Sequence, residues 1–259
     1  MSEKKPALWL RIYTFLVYAY IYIPILILVV FSFNTQKLNI RWEGFTLAWY
    51  DKLFHDSQVL LATRNTLLVA SFSTLVATII GTMAALALQR YRFPGYNLSE
   101  TVLYIPVVIP EVVMGISLLA FFAMIKFSLG LTTITLSHIA FNIPFVALVV
   151  RARLHGFDKS IEEASMDLGA NEMVTFWRVT LPTIMPGVLS GAMLAFTLSL
   201  DDYVITYFTA GPGSTTLPLR IFSMVRFAVT PEVNALSTIW VLIIFVLLFI
   251  GEYARRRRA

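Results

Sequence analysis

Cysteine is absent from all 259 residues, which excludes a disulfide framework, a thiol nucleophile and any thiolate metal site. Histidine is scarce: His55, His138 and His155 stand far apart without metal-ligand spacing, so no metal is expected. Charge is scarce too, at 14% of residues against about a quarter in soluble globular chains. No glycine-rich phosphate loop of the Walker type occurs, so no ATP site is expected in this chain. There is no low-complexity stretch and no convincing internal repeat. The net charge of +5 is not gathered on a basic face with aromatic or groove-reading context, which argues against a nucleic-acid partner.

What is abundant is apolar surface: 58% of the residues are hydrophobic and the mean hydropathy is +0.77. A helix crossing a bilayer needs about 20 apolar residues. Runs of that kind fall at Ile12–Phe33, Thr66–Leu88, Thr101–Ile125, Leu131–Val150, Pro186–Phe208 and Asn234–Gly251, which predicts six transmembrane helices. The first run is too long for a signal-peptide core and lacks a small-residue cleavage site, so it is expected to stay as an anchor. With both termini in the cytoplasm, the inner segments hold Lys4, Lys5, Arg11, Arg90, Arg92, Arg151, Arg153, Lys159, Arg178 and Arg255 to Arg258. Only Lys37, Arg41, Lys52, Arg64, Lys126, Arg220 and Arg226 fall outside. The positive-inside rule therefore predicts N-in, C-in topology, with residues 1–11 and the basic tail 252–259 in the cytoplasm beside anionic lipid headgroups. The outer segment 34–64, with Trp42, Phe45, Trp49 and Tyr50, suits the membrane interface, and Ala210 to Pro218 reads as a tight, ordered turn.

One polar stretch interrupts the apolar pattern. Ser160 with Glu163 three residues on matches a capping box, and Gly169 supplies a stop, predicting a short helix over Ile161–Leu168. Asn171 can cap a second helix running to Arg178, which Pro182 would end or kink. A helix of eight residues is marginal alone in water and calls for a partner.

The membrane-embedded charges are Glu111, in a span with Pro106 and Pro110, and the pair Asp201 and Asp202. A carboxylate at mid-membrane costs on the order of 3 kcal/mol, and such groups usually face a cavity or partner. Carboxylates along a path imply a cationic passenger, with Tyr104, Tyr203, Tyr207 and Phe208 as aromatic company. The bland alternatives are that the aspartates sit at the outer surface or cap the next loop, and that Glu111 makes a buried bond at the kink. Gly187, Gly191 and Ala195 form a small-residue stripe that lets another helix approach closely. Together with the missing ATP site, this stripe leads to the expectation of a second, similar membrane chain as partner.

Glu163-Ala164-Ser165, then Gly169 after three intervening residues and Val179-Thr180-Leu181-Pro182 after nine more, resemble the cytoplasmic loop of ABC importer membrane subunits. That pattern is E-A-A, three residues, G, nine residues, I-x-L-P; Ser165 and Val179 depart from it conservatively. The resemblance implies an all-α polytopic protein of the type I importer permease fold, with a permease domain over 65–251 and a coupling loop over 151–182. It also implies that Ser160, Glu162, Glu163, Ala164, Asp167, Leu168 and Gly169 form or flank a coupling helix seated on an ATPase subunit. The segments FTLSLDDYVITYFTAGPGSTTLP and FSMVRFAVTPEVNALSTI, with SFNTQK, HIAFNIPFV and IEEASMDLGA, resemble the second permease subunit of bacterial spermidine/putrescine importers. From that resemblance follow a bacterial inner-membrane location, a second permease subunit, two ATPase subunits binding ATP and Mg, and an extracytoplasmic polyamine-binding protein. An ABC permease for another solute is the near alternative. An intramembrane aspartyl protease is disfavoured because adjacent aspartates on one helix diverge by about 100°. A secondary transporter or channel is disfavoured by the lack of paired broken repeats.

Overall fold

The computed structural model describes residues 8–37, 39–226 and 228–256, as backbone alone at 247, 248 and 250–256. Lys4, Lys5, Arg257 and Arg258, which enter the charge asymmetry, lie outside the described residues. The chain is almost entirely helical and divides into two compact units, one holding residues 1–59 with 221–246 and the other 60–220 with 247–259.

In the first unit, α1 (Leu8–Phe31) is an apolar helix of spanning length with Arg11 in its first turn, and none of its most apolar 18-residue window is buried within the chain. The segment after it is ordered by Asn34. This residue is fully buried, donates through Nδ2 to the Arg41 carbonyl (2.8 Å) and accepts the Glu43 N–H through Oδ1 (3.0 Å). Phe33 stacks between Phe45 and Tyr50, at 5.1 and 5.2 Å between ring centres. The helix α2 (Ala48–His55) follows, and its Lys52 pairs with Glu232 (2.6 Å) in the first turn of the last helix, Pro231–Arg256.

The second unit takes in most of α3 (Ser57–Arg90), then α4 (Tyr96–Val108), α5 (Glu111–Met124) and α6 (Leu131–Leu154). The short α7 (Ser160–Asp167) and α8 (Glu172–Thr175) lead through a π-helical turn, Phe176–Thr180, into α9 (Leu181–Asp201). After these come α10 (Val204–Thr209) and α11 (Leu217–Val225), which begins in this unit; Pro231–Arg256 is α12. The core is built where α3, α6 and α9 meet, around Ala85, Val146, Val150, Ile184 and Ala195. The Gly/Pro-rich turn is pinned to α3: Asn65 Nδ2 donates to the Gly213 and Thr215 carbonyls, and Thr66 Oγ1 accepts the Leu217 N–H.

Among the described residues, four helices are long and apolar enough to cross a membrane: Leu8–Phe31, Ser57–Arg90, Leu131–Leu154 and the continuous Glu172–Asp201. The apolar pair α4 and α5, bent by 112°, adds a fifth span if the two helices cross as one, and is otherwise a re-entrant loop. The break lies at Ile109 and Pro110, both extended (ψ 134° and 135°), because proline disfavours helical backbone in the residue before it. The expected sixth span, Asn234–Gly251, extends past Val246 into residues described mainly as backbone, and the apolar part up to Val246 is shorter than a crossing.

Two expectations about the fifth span are corrected. It stops at Asp201 rather than reaching Phe208, since Asp202 is extended (ψ 119°) and the chain restarts as α10. Pro182 does not end the helix before it, which continues through the π turn to Asp201. The π turn precedes Pro182, which falls in the first turn of α9, where a missing N–H costs least.

Candidate functional site

The break between α9 and α10 creates the first candidate site. Asp201 ends α9 with its side chain exposed, while Asp202, one residue on, turns into the protein and is 5% exposed at its side chain. Asp202 Oδ2 accepts the Thr206 N–H (2.8 Å) and hydroxyl (2.7 Å), and Oδ1 accepts the Ile205 N–H (3.3 Å), so the carboxylate caps α10. The same Oδ2 meets His138 Nε2 (3.1 Å) from α6, which also lies 2.9 Å from Thr206 Oγ1. On the other side of the ring, His138 Nδ1 is 2.6 Å from Ser199 Oγ, which is 3.1 Å from Ser73 Oγ of α3. With the ring proton assigned to Nε2, every member is satisfied: Ser73 donates to Ser199, Ser199 to His138, and His138 to Asp202.

A serine, a histidine and an aspartate within hydrogen-bonding reach invite a nucleophile reading. The geometry opposes it. Ser199 is 4% exposed with its oxygen engaged on two sides, so no substrate carbonyl reaches it. The aspartyl-protease reading fails likewise, since Asp201 and Asp202 point into different surroundings and share no proton.

Glu111 begins α5 immediately after the break, is exposed, and lies within electrostatic reach of Asp201 and Asp202. It is not buried at the kink, which removes that bland alternative. The two helices are held together by Phe208 of α10, whose ring seats on Gly115, one turn beyond Glu111. A Cβ at Gly115 would stand 2.6 Å from the ring. Tyr203 and Tyr207 lie one turn apart with ring centres 5.7 Å from each other, and Tyr207 is 58% exposed beside Phe208 (5.3 Å, edge to face). Exposed Asp201, Glu111 and Tyr207 thus cluster on apolar helices. Tyr104 does not bond to this group: its hydroxyl accepts from Arg151 Nη1 (3.5 Å), beside the Arg151–Glu100 ion pair and the Tyr96 hydroxyl. Among the described residues no three acid or histidine side chains converge as a metal site.

The second candidate site is α7. Its start is not capped by Ser160, and Glu163 does not reach back. Asp158 Oδ1 accepts the Ser160 N–H (3.0 Å), an Asx turn that places Ser160 inside the first turn. That N–H, followed by the Ser160 hydroxyl, holds the exposed Asp158 carboxyl below its ordinary range. The end is a Schellman motif: Gly169 is left-handed (φ +91°), its N–H donates to Met166 O (2.9 Å), and the Ala170 N–H donates to Ser165 O (3.2 Å). Asn171 Oδ1 accepts the Val174 N–H (2.9 Å), capping α8 as expected.

Along α7, Glu163, Ala164, Asp167 and Leu168 are exposed, Leu168 to 91%. Glu162 faces the opposite way: it pairs with Arg90 at the end of α3 and accepts from the Thr180 hydroxyl. The stripe on α9 is occupied within the chain. A Cβ at Gly187 would stand 2.7 Å from Arg153 Cβ, and one at Gly191 3.3 Å from Val146 Cγ1, so the approaching helix is α6, not a second permease. Sequence reasoning passed over His138, Ser199, Ser73 and Arg90. The available signal was a lone histidine in an apolar run, His138-Ile139-Ala140-Phe141.

A family model described as "Binding-protein-dependent transport system inner membrane component" matches residues 77–258. The spermidine/putrescine transport system permease protein PotC of Haemophilus influenzae is 42% identical over 245 residues, covering 95% of each chain. Its Escherichia coli K12 counterpart is 44% identical over 240 residues, 93% of this chain and 91% of that one. The putrescine transport system permease protein PotI of Escherichia coli is 42% identical over 256 residues, 96% and 91%. Among solved structures, a bacterial ABC transporter that imports the acidic polysaccharide alginate superposes with a TM-score of 0.77 at 18% identity, covering 96% of this chain and 95% of that one. The MetNI methionine ABC transporter superposes at 0.66 with 19% identity, 83% and 100%. These two establish the fold.

Proposed function

The chain belongs to the family of binding-protein-dependent transport system inner membrane components, and from that premise we propose that it is a polyamine permease subunit of an ATP-driven importer. It is a multi-pass membrane protein, and its relatives carrying spermidine and putrescine in their names match over nine-tenths of its length. The proposed passenger is a flexible polycation of the spermidine or putrescine type. One observation carries the reading beyond the family: two exposed carboxylates, Asp201 and Glu111, stand with Tyr207 at breaks in membrane-spanning helices. Exposed to lipid these acids would each cost several kcal/mol; facing a path they attract an ammonium group, and a tyrosine ring adds cation–π attraction. Two acids at separate helix breaks suit amines carried on one chain.

In this reading the subunit forms half of the path and pairs with a second permease through a face other than the α9 stripe. Both termini and α7 lie on the cytoplasmic side. Glu163, Ala164, Asp167 and Leu168 present α7 to one of two ATPase subunits, which bind ATP and Mg, and an extracytoplasmic binding protein delivers the polyamine. The test is ATP-dependent uptake of labelled spermidine by proteoliposomes holding the permease pair, the ATPases and the loaded binding protein. Uptake that excess putrescine inhibits and an uncharged solute does not is the expected result. Transport of an uncharged solute in place of polyamine would move the chain to another branch of the family.

A further inference from the structure

The two adjacent aspartates have opposite surroundings, and the difference assigns them different work. Asp202 has no capacity left for a passenger: its carboxylate is filled by two backbone N–H groups, the Thr206 hydroxyl and His138, and its side chain and that of His138 are 5% and 3% exposed. Asp201 is exposed and ends the helix. We propose that His138 and Asp202 are positioning residues: they form a buried strut between α6 and the α9–α10 break that sets where Asp201 stands relative to Glu111, and the polyamine meets Asp201 but never Asp202.

The chain of contacts is continuous. Ser73 of α3 and Ser199 of α9 orient the imidazole, the imidazole holds Asp202, and Asp202 stops α9 and caps α10. Phe208 on α10 then seats on Gly115, one turn from Glu111. Loss of either partner leaves a polar group stranded in the protein interior, where such a group is costly, and the break relaxes. The site it displaces is then Asp201. This assignment rests on the reading that Asp201 lies on the cation path, and the experiment separates the two.

The experiment is spermidine uptake kinetics in the reconstituted complex, run as double-mutant cycles. D201N is expected to raise KM about tenfold, equivalent to ~1.4 kcal/mol. H138A and D202A are each expected to raise KM several-fold in the parental complex and to change it no further on the D201N background, because their effect passes through Asp201. H138Q, whose amide donates to Asp202, is expected to restore parental KM. If H138A fails to assemble, D202N enters the same cycle, since its amide oxygen still accepts the Thr206 N–H. Should H138A or D202N raise KM on the D201N background as much as on the parental one, the strut is refuted and Asp202 acts on the passenger directly. Should D201N leave KM at the parental value, the path reading itself falls and takes the strut's purpose with it.

Discussion

Glu162, in the first turn of α7, is paired with Arg90, the last residue of α3, and the same carboxylate accepts from Thr180 in the π turn that leads into α9. One side chain thus ties the short helix to two spanning helices, while its neighbours Glu163 and Ala164 face outward. Displacement of α7 by a partner would be carried to α3 and α9 through Glu162. E162Q is expected to keep membrane insertion and basal ATP hydrolysis in the assembled complex but to lower substrate-stimulated hydrolysis several-fold. The charge swap R90E with E162R is expected to restore part of it. The side chains are only 27% and 14% exposed, so E162Q leaves Arg90 without its counter-charge and is expected to lower the thermal midpoint as well, a loss that the swap should partly recover.

Gly169 tests backbone conformation rather than space, because nothing lies within 4 Å of a Cβ placed there and φ is +91°. Val at this position is expected to cost about 1–2 kcal/mol locally and to redirect the exit from α7, abolishing stimulated ATP hydrolysis. Asn, which tolerates left-handed backbone, is expected to retain most of it. Equal activity in Gly169→Val and Gly169→Asn would mean that this geometry is not used.

Close packing between α3 and α6 is tested at Gly81, where a Cβ would stand 2.8 Å from both the Ile143 carbonyl oxygen and Val146 Cβ. Neither is the free end of a flexible side chain. Gly81→Ala is expected to destabilise by about 1–3 kcal/mol through overpacking. The thermal midpoint of the purified complex should fall while KM for spermidine is unchanged, and an unaltered midpoint would show that the helices separate freely.

The Asp158 cap gives a pH dependence. Its carboxyl titrates below the ordinary aspartate value of about 3.9 because the Ser160 N–H favours the ionised form. A depressed folded-state pKa adds stability that is present above the unfolded value and lost as pH falls through the folded one. Exchange of the Ser160 amide is therefore expected to be protected in the wild type above about pH 4, to lose part of that protection in stronger acid, and to be fast throughout in D158A. Equal protection in D158A and wild type would place the cap elsewhere.

These elements also show what could be read from sequence. The stop at Gly169 and the cap at Asn171 were legible because each depends on one residue's own conformational preference. The break before α5 was legible through Pro110 for the same reason. The cap at Ser160 was misread because Asp158, two residues earlier, competes for the same N–H. His138 and Asp202 were beyond reach as a pair: they are 64 residues apart, on helices brought together by packing that no local pattern encodes. The stripe of Gly187, Gly191 and Ala195 announced a close helix neighbour but could not say which one, since α6 of the same chain and a helix of a partner satisfy it equally well.

Reception of a polycation by the exposed carboxylates at the helix breaks is the step on which transport selectivity rests in this mechanism. It is tested most directly by spermidine uptake into proteoliposomes carrying the E111Q/D201N permease in the complete complex, with assembly checked by co-purification of all subunits. Coulomb attraction between an ammonium group and a carboxylate at about 4 Å is several kcal/mol in partly buried surroundings, so removing both charges should lower uptake at subsaturating spermidine by tenfold or more in a complex that still assembles. Uptake at the parental rate and parental KM would contradict the account, and cation selectivity would then lie with the binding protein or the partner permease.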